Sequence, residues 1–134
     1  DDELNIHRAI YAESNFQTVK HCYVPEAEAL SHFIYPGEAE PVDRMVPVDA
    51  EGSFLYLVIP ILPPKFEIEQ LIKLLHDYKV VIVRGGGVWA VGVQSISEVL
   101  HHPSSVREIC LYRIGAFERG LSLKKMEQKK AKKW

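Results

Sequence analysis

The chain has 134 residues, 47% hydrophobic and 25% charged, with a formal net charge of −2. That length suits one domain with a real core, and the balance is ordinary for a soluble globular protein. No apolar run approaches the roughly 20 residues of a membrane helix, and the Asp1-Asp2-Glu3 opening does not read as a signal peptide.

The charge is unevenly placed. Residues 124 to 134 hold six lysines and one glutamate, a local charge of +5, which leaves −7 on the other 123 residues. Lysines suit the negative end of a helix dipole. The body offers no second basic patch, so neither a nucleic-acid nor a membrane partner is expected. The expected organisation is a single domain over 1–123 and a lysine-rich tail over 124–134. Cys22 and Cys110 are too few for a zinc site built on cysteine pairs. They read as reduced thiols of a cytoplasmic protein.

Residues 3 to 14 have helical spacing, with Leu4, Ile6, Ala9 and Ile10 apolar and Glu3 and His7 four apart on one face. Ser14-Asn15 ends that helix. Phe16 to Tyr23 alternates as a strand, and Pro25 suits the first turn of a short helix over Glu26 to Phe33. Pro36-Gly37 and Pro41 mark a loop. Ser53 to Ile61 is a nearly continuous apolar run and predicts a central strand, broken by Pro63-Pro64. Ile68, Leu71, Ile72 and Leu75 predict an amphipathic helix over 67–77.

Strands follow at 79–84 and 88–92, joined by Gly85, Gly86 and Gly87. At least one of these glycines is expected at positive φ. The turn lacks the Lys-Ser/Thr of a phosphate-binding P-loop. Ser95 with Glu98, and Ser105 with Glu108, have the spacing of capping boxes and predict two helix starts. The last helix is expected from about 105 toward the tail, with Gly115 and Gly120 as weak points. His101-His102 before Pro103 reads as a loop feature. Strands alternating with helices predict an α/β or α+β class with a helix-covered sheet.

Three segments read together resemble the class II aldolase/adducin family. His21-Cys-Tyr23-Val-Pro25-Glu-Ala27-Glu-Ala29-Leu-Ser31 is similar to the family's His-x-His-Pro-Pro followed by Ala-x-Ala-x-Ser. Glu3-x-x-x-His7-x-x-x-Tyr11 begins eighteen residues before His21, as in the family. Val83 to Gly92 resembles the family's Arg-Asn-His-Gly turn with its flanking strands. Glu108, sixteen residues after Gly92, stands where the family carries a glutamate in its last long helix. The resemblance spans nearly the whole chain and corresponds to the C-terminal two-thirds of a family domain.

The resemblance implies a three-layer α/β/α sandwich around a mostly antiparallel sheet, and a homo-oligomer. It also implies a divalent metal, usually zinc, held by a glutamate and three histidines to polarise a carbonyl during sugar-phosphate cleavage. Carried over by position, Glu3 matches the catalytic carboxylate and His21 the first histidine. Tyr23 replaces the second histidine and Gly86 the third. A glycine offers no side-chain ligand, and a phenol with a pKa near 10 is a poor zinc ligand at neutral pH. Asp1-Asp2 stand where the family has two phosphate-binding serines, and carboxylates repel a phosphate dianion.

No resident cofactor is therefore expected, with zinc implied only if the ancestral site is retained. Two functions follow. One is an altered sugar-phosphate lyase, with Glu3 as acid/base, His21 as a residual ligand or electrophile, and a small sugar-phosphate-like ligand. The other is a non-catalytic adducin-type scaffold or interaction domain. With the family's N-terminal segment unmatched, self-association or a longer parent polypeptide is expected, because open sheet edges and uncovered apolar faces invite contact.

Overall fold

The computed structural model describes residues 2–47, 58–92 and 96–120. Its elements run α1 (Asp2–Ala12), β1 (Thr18–Cys22), α2 (Pro25–Ser31), β2 (Arg44–Met45), β3 (Ile59–Leu62), α3 (Ile68–Tyr78), β4 (Val80–Val83), β5 (Gly87–Gly92) and α4 (Ile96–Glu118). The five strands form one sheet in the order β1-β5-β4-β3-β2. Three of its pairings are antiparallel, while β3 and β4 run parallel across the α3 crossover. The sheet is thus mixed within the mostly antiparallel arrangement expected.

The apolar runs are continuous because both faces of the sheet are covered. Successive side chains of a strand point to opposite faces, and the two cores divide on that alternation. Val80, Ile82, Val88 and Ala90 pack with Ala27 of α2 and Val106, Ile109 and Cys110 of α4. Val81, Val83, Trp89 and Val91 pack with Ile10 of α1 and Leu71 and Leu75 of α3. The result is the three-layer sandwich.

Several boundaries differ from those read in the sequence. Phe16 precedes β1 and is buried in the core, because Gln17 and Thr18 already meet Gly92 at the end of the ladder. The Ser53–Ile61 strand appears as β3, reaching Leu62; residues 53–57 lie outside the described residues. β2, two residues long, is too short to leave a periodic signal.

The largest difference is at the last helix. The Ser105 box lies inside one continuous helix, α4, and His101 and His102 are helical. Ser95 and the lysine tail lie outside the described residues. Pro103 removes a helical hydrogen bond at a cost of about 3 kcal/mol. Burial of Val106, Ile109 and Cys110 against the sheet offsets that cost. The helix stops at Glu118, followed by Gly120 at φ 75, so this glycine ends the helix as a left-handed cap.

β1 is an edge among the described strands, and one of its outward amides is covered. The backbone N–H of Val19 donates to the Tyr11 hydroxyl at 2.9 Å. Such a cover blunts an edge against further strand pairing.

Candidate functional site

Helical spacing on α1 carries Glu3 and His7 on one face, and they lie 3.8 Å apart at their closest ionisable atoms. The register of β1 with β5 sets His21 opposite Trp89. Gly85, Gly86 and Gly87 turn the chain from β4 into β5 at the same end of the sheet. Gly85 and Gly87 have φ of 77° and 86°, the left-handed region that glycine enters cheaply.

The imidazole of His21 is where these segments meet. Its Nδ1 lies 3.0 Å from Glu3 Oε1, and its Nε2 lies 2.5 Å from the Gly86 carbonyl oxygen. The ring stacks on Trp89 at 4.3 Å and 17°. Its side chain is 6% exposed, against 51% for Glu3. His7 also leans on Trp89, at 4.9 Å. The hydrogen bond from His21 is the main cause that holds the Glu3 carboxyl below its usual value of 4.5. Desolvation opposes it, and the charges of His21 and His7 assist.

Tyr23, just past the end of β1, is 70% exposed and meets His21 edge-on at 5.2 Å. Gly86 lies over His21 with its backbone alone. Glu108 is exposed on α4. The side chains of Asp1 and Asp2 lie outside the described residues. The structure therefore gathers Glu3, His7, His21, Tyr23 and Gly86.

Three further residues shape this place, and single-residue motifs did not point to them. Trp89 forms the floor beneath both imidazoles. Arg84 donates through Nε to the Ser31 carbonyl and through Nη2 to the Val42 carbonyl, each at 2.9 Å. Glu28 accepts from the Gly85 amide. Each contact spans more than forty residues or crosses the sheet, so local spacing carries no trace of it.

A groove of about 440 Å³ opens here, lined by Glu3, His21, Tyr23, Phe66, Arg84 and Trp89 among others. A larger trough of about 750 Å³, lined by Phe16, Ile72, His76 and Lys79 among others, shares no lining residue with it and has no comparable convergence of groups. Among the described residues, no group of three or more His, Cys, Asp or Glu side chains is placed to hold a metal ion.

Solved structures share this fold. The chain superposes on L-fuculose-1-phosphate aldolase from Thermus thermophilus with a TM-score of 0.72 and 21% identity, over 87% of this chain and 62% of that one. It superposes on YgbL from Klebsiella pneumoniae with a TM-score of 0.68 and 16% identity, over 94% and 63%. The chain thus spans less than two-thirds of either structure, and at these identities the likeness establishes the fold. No curated protein matches the sequence. The class II aldolase and adducin N-terminal domain profile matches residues 1–114. On that match, which takes in every residue of the groove, the chain belongs to the class II aldolase and adducin N-terminal domain family.

Proposed function

We propose that this is a class II aldolase-like protein, related to the metal-dependent sugar-phosphate lyases, that does not carry out zinc-dependent aldol cleavage. The observation behind this reading is the residue set around His21. A catalytic zinc is held by three protein ligands with one position open. Here the imidazoles of His21 and His7 lie near one carboxylate without forming, among the described residues, a group of three placed to hold a metal, and the turn presents Gly86, which has no side chain to offer. Tyr23 stands 70% exposed, as a phenol rather than an imidazole. These residues do not fit a catalytic zinc site, so no step is derived through a metal.

The groove remains a place for a small sugar-phosphate-like ligand, with Glu3 as its exposed carboxylate. Homo-oligomerisation and a cytoplasmic location belong to the same reading, as does the absence of a resident cofactor. Among the described residues, no helix is long and apolar enough to cross a membrane.

An aldol-cleavage assay on L-fuculose 1-phosphate with added zinc tests the proposal. No turnover is expected. Zinc-dependent turnover by the wild-type chain would overturn it. Sedimentation velocity tests the oligomer, for which a mass above 15.3 kDa is expected.

A further inference from the structure

Glu3 lies on α1, His21 on β1 and Gly86 between β4 and β5, so three separate segments meet at one imidazole. The Gly86 carbonyl oxygen stands 2.5 Å from Nε2. A zinc–imidazole bond is about 2.0–2.1 Å long. The oxygen therefore takes the space immediately in front of Nε2 that a bound cation would need. A carbonyl oxygen only accepts, so Nε2 carries hydrogen and has no lone pair for a metal. The other nitrogen faces the Glu3 carboxylate at 3.0 Å.

We infer that His21 is a cross-link between α1 and the glycine turn, and that the Gly86 backbone closes the metal position instead of leaving it open. The inference rests on the reading that zinc-dependent cleavage is absent, and it extends that reading. Metal is excluded by an occupied nitrogen as well as by a shortage of ligands.

Glycines make this closeness possible. A Cβ on Gly87 would come within 2.7 Å of both His21 Nε2 and the Cys22 carbonyl oxygen. A Cβ on Gly86 would come within 2.8 Å of Val83 Cγ1 and 3.2 Å of Val83 Cβ. Putting a histidine back at 86 must therefore displace Val83, and it leaves the main-chain carbonyl at residue 86 in place. The stack on Trp89 keeps the His21 ring from turning away. Glu28, bonded to the Gly85 amide, keeps the turn from withdrawing.

Zinc titration calorimetry on the wild-type chain and on the Tyr23→His/Gly86→His variant tests this, with folding checked by circular dichroism. Weak binding by the wild type is expected, and a gain of no more than about tenfold in the variant. A gain of about a thousandfold, with the wild type still weak, would overturn the cross-link and leave the proposed function standing. Stoichiometric zinc on the wild type would overturn both. Should the variant not fold, His21→Phe decides, since it keeps a ring on Trp89 and removes both hydrogen bonds. Hydrogen exchange of the Gly85 and Gly86 amides should then rise about tenfold. Unchanged exchange would overturn the inference.

Discussion

Both carboxylate oxygens of Glu28 accept from the backbone N–H of Gly85, at 2.8 and 3.1 Å. His32 reaches the same carboxylate one helical turn on, at 3.0 Å. The first turn of α2 thereby holds the glycine turn from the opposite side to His21. Replacing Glu28 with Ala should cost about 1–2 kcal/mol, typical of a charge-assisted hydrogen bond that is partly solvated. Glu28→Gln should recover part of that, because the amide oxygen still accepts. Urea denaturation of the three proteins checks the order.

The three turn glycines should respond unequally to valine. Gly85 sits at φ 77 with open space around its missing Cβ, so Gly85→Val should cost about 1–3 kcal/mol through backbone strain. Gly87 adds to positive φ a Cβ position 2.7 Å from a backbone oxygen, so it should cost most. Gly86 lacks positive φ, so its cost should come from displacing the buried Val83 side chain, 2.8 Å from a Cβ there, and not from backbone strain. Thermal denaturation of the three variants measures this. Equal tolerance at all three would contradict the strand–turn–strand geometry.

Acid should weaken the contact between α2 and α4. Glu26 accepts from Arg107 Nε at 2.9 Å. Its carboxyl lies below the usual 4.5, chiefly through its own backbone N–H, with Arg107 assisting and desolvation opposing. A depressed carboxyl contributes stability that is present above its unfolded pKa and lost as pH falls through the folded one. The midpoint difference between wild type and Glu26→Gln should therefore be full near neutrality and shrink as the pH falls below about 4.5. A difference constant from pH 7 to pH 3 would show that the pair contributes nothing.

Thiol labelling should separate the two cysteines. Cys110 is buried, 3.7 Å from Met45 Sδ, and burial pushes its pKa up to about 12. Roughly one molecule in ten thousand then carries the thiolate at pH 8. Cys22 is half-buried, and its pKa is also raised by burial. With iodoacetamide at pH 8, Cys22 should alkylate first and slowly. Cys110 should follow only as fast as the protein opens, and peptide mass spectrometry reads both rates. Rapid labelling of native Cys110 would place it outside the core.

Local pattern was sufficient for much of the fold. The spacing of Leu71 and Leu75 marks the buried side of α3, and the unbroken Val80–Val83 run announces a strand covered on both faces. Three glycines between two such runs call for a turn at positive φ, and Gly85 and Gly87 supply it. These are short-range consequences of side-chain periodicity and backbone sterics, so they survive without any knowledge of neighbours.

The rest depended on partners distant in sequence. Ser105 with Glu108 has the spacing of a helix start, yet packing of Val106, Ile109 and Cys110 on the sheet carries one helix straight through Pro103. The parallel pairing of β3 with β4 follows from the α3 crossover, while β2 exists only because β3 lends it an edge. At the groove, the family resemblance named Glu3 and His21 and marked Gly86 as a lost histidine, but the part its backbone plays could not be read. A glycine in a sequence shows only a missing side chain. That its carbonyl oxygen bonds His21 Nε2 follows from the register that sets His21 against Trp89 and from the closeness that Gly87 permits. Backbone hydrogen bonds between distant segments carry no side-chain signature, so the sheet had to be assembled before they existed.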